Sequence, residues 1–408
     1  MQNKVRNYSM LPMIAICLIF CFSESVIAND QSNVTNLTAQ QFIALQLKQM
    51  SPAQRKEAIW TYARHRNYIY SPELWEIPEP LIILDAVLQS QEPYTSVMLE
   101  ALERSLPTFP SKRSQLHAAA ILYRYHHTMG ENYLRQEVQK HGNARAAAIF
   151  ARNQEITLLP QILKIAREQP DESVDIVAYL ALWPAPAVTQ GLLANFHADS
   201  ENCNYAIALA RQNAVQSLPV TRKLYSNLLT TDPAKVDLAA ALIKLHDPRD
   251  NNLLASFSRM LKSNKSPGMM KIFTIQSLGD VQESRSIPLM EYAINNYLAL
   301  PKVAKDDTNP IGAEQLAVSA AESLAKLQAP AGRKIVTRLL LNLGSCKADR
   351  SLLIRTSRAL LSFHGSPDAV RQILGAKWIQ QELAIYKLGK TLRPLPDEFM
   401  PPNNAVLP

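Results

Sequence analysis

The chain has 408 residues, of which 47% are hydrophobic and 19% charged, and its formal net charge is +8. This mixture is typical of a globular protein and excludes disorder over most of the length. Only 11 glycines stand against 26 prolines, and runs of β-branched residues are few. These counts argue against a β-sandwich, a barrel or a Rossmann sheet and favour helices.

The N-terminus has the pattern of a secretory signal peptide. Lys4 and Arg6 form a positive region, residues 11–22 are apolar, and Ala28 is the small residue before a cleavage site. The apolar run is shorter than the ~20 residues that a membrane-spanning helix needs. We therefore predict that residues 1–28 are a signal peptide cleaved after Ala28. The alternative is an uncleaved anchor.

We expect export to the periplasm or the medium, with a bacterium as the source. Export restricts the classes of partner. Nucleic acids are excluded as partners, and a mildly basic surface then indicates anionic lipid, lipopolysaccharide, acidic polymers or acidic proteins. Cys203 and Cys346 remain after cleavage. About four of the helical repeats described below separate the two cysteines, and adjacent repeats pack ~8–10 Å from each other. A disulfide needs Cα atoms within ~7 Å, so we expect no intramolecular bridge between them.

Residues 29–142 form the first predicted region of the mature chain. Helical patterns are recognisable there at 38–49, 52–66, 80–90, 94–106 and 113–129. They do not repeat cleanly, so the region is a set of divergent repeats or a separate capping domain, since terminal repeats are usually atypical.

An aromatic cluster interleaved with basic residues marks this first region. Its members that are candidates for binding are Trp60, Arg64, Tyr68, Tyr70 and Trp75. If these side chains are exposed, we expect them to stack on sugars or to hold a peptide. If they are buried, we expect them to form the core of a capping domain.

Residues 143–392 form the second region and contain a repeat. Ala- and Leu-rich helical stretches are predicted at 144–153, 172–183, 204–212, 233–245, 269–278, 313–327 and 352–363. Each is followed by a segment that begins near a proline, since proline is favoured in the first turn of a helix. These prolines are Pro160, Pro186, Pro219, Pro248, Pro288, Pro330 and Pro367. Their steps of 26, 33, 29, 40, 42 and 37 residues average about 34, which predicts stacked helix pairs with one continuous core.

The repeat resembles HEAT repeats, in particular those of the phycocyanobilin-lyase type. The resemblance lies in residues 275–281 (IQSLGDV) with 285–289 (RSIPL), and in the similar stretches 320–327 and 354–363. It implies an all-α fold, an α-solenoid of HEAT-like helix pairs with a divergent helical N-terminal cap. HEAT motifs specify a fold and no activity; another α-solenoid or a helical bundle is the alternative.

Two further features belong to the C-terminal part. Basic residues cluster along 333–358, and we predict that Arg333, Arg338, Arg355 and Arg358 form a stripe for an acidic partner, with a solvated face as the alternative. Residues 393–408 are rich in proline and asparagine without periodicity, which predicts either a disordered tail or an extended strap.

Motifs for catalysis are absent from the sequence. There is no nucleophile elbow, P-loop, zinc-protease motif or dinucleotide turn. His127 and Glu131 are four residues apart, but Gly130 is expected to end that helix, so we predict no metal site there. From the missing motifs we predict no cofactor and no catalytic residue. We predict a non-catalytic scaffold or adaptor that binds another protein in the bacterial envelope. The alternatives are a glycan-binding or cell-wall-acting module using residues 60–75, and a secreted virulence factor that binds a host protein.

Overall fold

A computed structural model of the chain describes residues 94–109, 111–229, 232–300, 312–346, 348–363, 368–376, 378–379, 392–396 and 399. The described residues form helices joined by turns and contain no strand. The α-helices are α1 Tyr94–Ser105, α2 Lys112–Arg124, α3 Thr128–His141, α4 Ala144–Arg152, α5 Leu159–Glu168, α6 Val174–Ala181, α7 Pro186–Ala198, α8 Cys203–Arg211, α9 Leu218–Asn227, α10 Ala234–Lys244, α11 Asp250–Lys262, α12 Gly268–Asp280, α13 Ile287–Ala299, α14 Ala313–Lys326, α15 Gly332–Ser345, α16 Arg350–Ser362 and α17 Asp368–Leu374.

Two compact units divide the chain between Thr108 and Phe109. In the first, the described elements are α1 and the 3₁₀ turn Leu106–Thr108. The second contains α2 to α17. Helices α2 and α3, which the sequence assigns to the N-terminal region 29–142, therefore share one compact unit with the predicted repeats.

The second unit is an α-solenoid built from eight described helix pairs. Each even-numbered helix from α2 to α16 contacts the next even-numbered helix, and most contact the odd-numbered helix that follows them. Odd-numbered helices form the second layer, with contacts such as α3 to α5, α5 to α7, α13 to α15 and α15 to α17. This arrangement confirms the predicted all-α solenoid architecture.

The two layers differ in composition for a physical reason. An even-numbered helix has neighbours on both sides and a partner beneath it, so almost all of its surface is buried. In α4, with the sequence ARAAAIFAR, seven of nine residues are buried, and the small alanines let adjacent helices approach closely. An odd-numbered helix buries one face only: α5 buries Leu159, Ile162, Ile165 and Ala166 at helical spacing.

The predicted helix boundaries agree with the structure within about two residues for the repeat helices and for α1. Pro160, Pro186, Pro219 and Pro288 occupy the first or second position of α5, α7, α9 and α13, as predicted. Pro367 lies outside the described residues.

A left-handed residue connects the even helix to its odd partner in six pairs. None of these residues is glycine, and their φ angles lie between 49° and 64°; they are His126, Gln154, Asn213, His246, Gln282 and Gln328. The N–H of the following residue donates to the carbonyl five residues earlier, at 2.9–3.2 Å, as in Leu122–His127 and Phe150–Glu155. This is the Schellman ending of a helix, which satisfies carbonyls left free at its C-terminus.

The predicted helix 113–129 is wrong at its C-terminal end: α2 ends at Arg124, and α3, Thr128–His141, was not predicted. The left-handed His126 ends α2, and His127 begins α3 as its N-cap. Gly130 does not end a helix, contrary to the prediction, but lies inside α3 where a β-carbon would stand 2.5 Å from the carbonyl oxygen of Ala119. Glycine is therefore required because α3 crosses α2 in backbone contact.

Candidate functional site

An edge of the solenoid carries a row of exposed apolar side chains. Even-numbered helices all run in one direction, so their turns to the odd-numbered helices lie along one edge. In the first four pairs these turns present Met129, Ile156, Leu182 and Val215, whose exposed fractions are 43, 55, 46 and 56%. We call these four residues the apolar turn row. Helices of neighbouring pairs pack ~8–10 Å apart, so the row extends over roughly 25–30 Å.

The backbone beside the row is held by ion pairs. Arg135 on α3 contacts Glu131 at 2.9 Å and Glu155, in the next turn, at 3.3 Å. Its guanidinium also lies 5.4 Å from the ring centroid of Phe150. Arg135 therefore links α3, which carries Met129, to the turn that carries Ile156.

The same edge becomes charged in the fifth and sixth pairs. Buried Asp247, 1% exposed, receives hydrogen bonds from Arg222 and Arg249, the latter at 3.1 Å. In the next pair Arg285 donates to Glu283 at 3.0 Å and to Asp250 at 2.7 Å. Thus the row of apolar turns ends where the charged turns begin.

These contacts move the protonation equilibria of the acids. Burial raises the pKa of Asp247, but the hydrogen bonds from Arg249 and Arg222 outweigh it and lower the pKa to about 2. The hydrogen bond from Arg285 lowers the pKa of Asp250. The pKa of Arg285 is raised, chiefly by its hydrogen bond to Glu283, so both turns stay charged at neutral pH.

A C-terminal strap, which we define as residues 393–396 and 399, is docked on α2, α3 and α4. The Arg393 N–H donates to the carbonyl oxygen of Arg124 at 3.1 Å, and the Arg124 guanidinium donates to the Arg393 carbonyl oxygen at 3.3 Å. The Arg393 side chain contacts Glu131 at 2.8 Å and lies 4.1 Å from the ring centroid of Tyr123. Asn153 donates to the carbonyl oxygen of Pro394 at 2.8 Å.

Apolar residues anchor the rest of the strap. Leu395 is 1% exposed and Phe399 is fully buried, with its ring centroid 4.8 Å from that of His117 on α2. Of the two alternatives predicted for residues 393–408, the described residues follow the strap. The contacts join residues up to 269 positions apart, so no local sequence pattern signals them.

The predicted basic stripe is divided between two helices of different layers. Arg333 and Arg338 are exposed on α15, while Arg355 and Arg358 are half-buried on α16. Arg355 donates to both carboxylate oxygens of Glu322 on α14, each at 2.7 Å, and this pairing raises its pKa. The four arginines are therefore not equivalent positions of adjacent repeats, and Arg355 already has an acidic partner within the chain.

Several predicted features lie outside the described residues. They are the signal peptide with its cleavage after Ala28 and the aromatic cluster of Trp60, Arg64, Tyr68, Tyr70 and Trp75. The glycan-binding alternative rests on that cluster and stays a prediction.

The two cysteines of the predicted mature chain are free thiols. Cys203 begins α8, and burial, helped by Asp237 and Asp232, raises its pKa to about 11. Cys346 follows the last residue of α15 and is its C-cap.

In the described part of the chain, no three His, Cys, Asp or Glu side chains are placed to hold a metal ion, and no helix has the length and apolarity needed to cross a membrane. Comparison with protein-family models, curated proteins and solved structures finds no match. The HEAT resemblance therefore stays a prediction, and the geometry alone supports a function.

Proposed function

We propose that this chain is a non-catalytic exported scaffold that binds another protein in the bacterial envelope. The observation that carries the proposal is the apolar turn row. Four consecutive turns each expose a large apolar side chain, and apolar surface aligned along one edge is typical of a protein-binding site. A solenoid suits this role because each pair repeats the same presentation along one edge.

The partner that fits the row is a protein with apolar side chains repeated at about the same 8–10 Å spacing. A polyproline II segment provides this with an apolar residue at every third position, since it has three residues per turn and each residue advances ~3.1 Å. The charged turns of Asp247 and Arg285 set the limit of the apolar contact.

Site-specific photocrosslinking in growing cells tests the proposal. A photoreactive residue replaces Ile156 or Val215 in the row, and Leu229, 75% exposed and on the opposite edge, is the matched control position. We expect discrete adducts with one envelope protein from the two row positions only. Equal adducts from Leu229, or none from the row, would contradict the proposal.

Affinity for the crosslinked protein then measures what the row contributes. Burying one such side chain is worth ~1.5–3 kcal/mol, so Ile156→Asp with Val215→Asp should weaken binding at least ~100-fold. Leu229→Asp should leave the affinity unchanged.

A further inference from the structure

The C-terminal strap is seated by the contacts that recognise a peptide ligand. Its main chain forms two hydrogen bonds with Arg124, at 3.1 and 3.3 Å. One charged side chain, Arg393, pairs with Glu131 at 2.8 Å and stacks on Tyr123. One aromatic side chain, Phe399, is fully buried six positions later. Backbone pairing with side-chain anchors at fixed spacing is the general pattern of extended-peptide recognition.

The receptor side of this contact is held in place by contacts of its own. Glu131 is bound by Arg135 at 2.9 Å, and the Asn153 amide donates to Ile149 at 2.7 Å. Tyr123 packs edge-on against Phe150 with ring centroids 5.3 Å apart. Each of these groups therefore has a partner within the solenoid in addition to the strap.

His117 completes the receptor at the aromatic end. It is 1% exposed, and its Nδ1 lies 2.8 Å from the carbonyl oxygen of Arg113 one helical turn earlier. Its ring is thus oriented by α2 itself. The face therefore has a charged end at Glu131, a polar centre at Asn153 and an aromatic end at His117.

We propose that this face of α2, α3 and α4 is a peptide-recognition site, which the C-terminal strap fills as an intramolecular ligand. The partner that occupies it instead is an extended segment with an Arg-Pro pair, an apolar residue next and an aromatic residue six positions after the arginine. The sequence of the strap, Arg393-Pro394-Leu395-Pro396 with Phe399, defines this chemistry. The site uses none of the four side chains of the apolar turn row, and the proposal does not depend on the scaffold function.

The covalent connection of the strap to its site favours the strap over a free peptide segment. Because the strap and its site belong to one chain, binding of the strap is intramolecular, and short tethers of this kind give effective concentrations of roughly millimolar. A free segment of equal intrinsic affinity at lower concentration does not displace it. The site opens only to a partner that binds more tightly or after the strap has been weakened.

Binding of a labelled peptide to the full chain tests the proposal. The probe is a fluorescein-labelled synthetic peptide of residues 392–400, and the release variant combines Arg393→Glu with Phe399→Ala. We expect the release variant to bind the peptide at least ~10-fold more tightly than the unchanged chain, as the tethered competitor is lost. Arg371→Glu, which breaks the exposed 3.4 Å pair with Asp368, is the matched control and should leave peptide binding unchanged.

A charge reversal at the receptor identifies the site. Adding Glu131→Arg to the release variant should abolish binding of the peptide, and a peptide carrying Arg393→Glu should then bind. Three results would overturn the proposal: a release variant that is folded but does not bind, an unchanged chain that binds equally well, or binding that ignores Glu131→Arg. A release variant that loses its helical circular dichroism would also overturn it, because the strap would then be part of the fold.

Discussion

Residues in the left-handed region carry strain that most proteins place on glycine. Six turns of this solenoid use His, Gln or Asn there, with φ between 49° and 64°. An L-residue with a β-carbon costs ~1–2 kcal/mol in that conformation, whereas glycine adopts it freely. The solenoid therefore holds a set of local strains, one in each of the six turns.

Gln154 is the position at which this strain is best measured, because its side chain is exposed. We expect Gln154→Gly to stabilise the chain by about 0.5–1 kcal/mol, since the relief of strain exceeds the entropy that glycine adds to the unfolded state. Urea unfolding followed by circular dichroism measures the change.

The same substitution at Gln190 is the control. Gln190 is exposed in the interior of α7, where φ is helical. There glycine should destabilise by about 0.5–1 kcal/mol. Opposite signs at the two positions support the interpretation, and a loss of stability at Gln154 would contradict it.

The sequence could not reveal these left-handed positions. Glycine is the usual signal for such a turn, and in six turns it is absent. Without it, the helical pattern of α2 continues in the sequence to Met129 and α3 is missed, and Gly130 indicates a helix end although it is needed for close packing. Conversely, Pro160 and Pro288 mark helix starts correctly, because proline acts through its own backbone.

At the scale of elements, ion pairs of half-exposed arginines with buried carboxylates join consecutive turns. Asp247 follows α10 directly and binds Arg222 of α9 and Arg249 before α11. Arg285 binds Asp250 of α11 and the carbonyl oxygen of Ile243 in α10, the latter at 2.6 Å. These contacts link the fifth pair to its neighbours, in addition to the apolar core.

The stability of the fifth pair should depend on pH through Asp247. Its pKa in the folded chain is about 2, below the ~3.9 of an unfolded aspartate. The stabilisation is therefore present above pH ~4 and is lost as pH falls towards 2. We expect Asp247→Asn to lower the unfolding free energy by about 1–2 kcal/mol at pH 5 and by much less at pH 2.

Urea unfolding of the unchanged protein and of Asp247→Asn at pH 5, 4, 3 and 2 measures the difference in their unfolding free energies. Asp368→Asn is the control, because the Asp368 side chain is 77% exposed. Its difference from the unchanged chain should be small and nearly constant with pH. If the difference in unfolding free energy between Asp247→Asn and the unchanged protein does not decrease between pH 5 and pH 2, the arginines do not stabilise the carboxylate.

The positions of the helices could be predicted from the sequence better than the contacts between them. The repeat helices follow from apolar periodicity and from the prolines, both of which are local signals. The apolar turn row was not predicted, since exposure at a turn depends on the neighbouring pairs. The basic stripe was assembled from positions close in sequence, but α15 and α16 belong to different layers, and Arg355 is paired with Glu322.

At the scale of the second unit, the strap connects the last helix pair to the first. Ile379 is buried just after α17, while Arg393 is docked on α2. The chain between them spans at most ~46–50 Å when fully extended, and the helical residues before Ile379 add only ~8 Å. A straight stack of eight pairs would separate its ends by ~56–70 Å. The connection therefore reaches ~54–58 Å at most, only the short end of that range, so the docked strap limits how far the stack can straighten.

Spin labels at the two ends measure this constraint. Gln139 on α3 and Gln372 on α17 are exposed positions for the labels, with the native cysteines replaced by serine. With the strap docked, we expect a narrow distance distribution. In the release variant, Arg393→Glu with Phe399→Ala, the distribution should broaden and extend to longer distances, because the tether no longer limits the ends.

The matched control again distinguishes the strap from a general effect of charge. Arg371→Glu removes an exposed ion pair on the same helix as one label and should leave the distribution unchanged. If the release variant keeps the narrow distribution, contacts within the solenoid alone determine its curvature. If it broadens, occupancy of the peptide site and the shape of the solenoid are linked, so a partner segment that displaces the strap would also change the curvature of the surface that presents the apolar turn row.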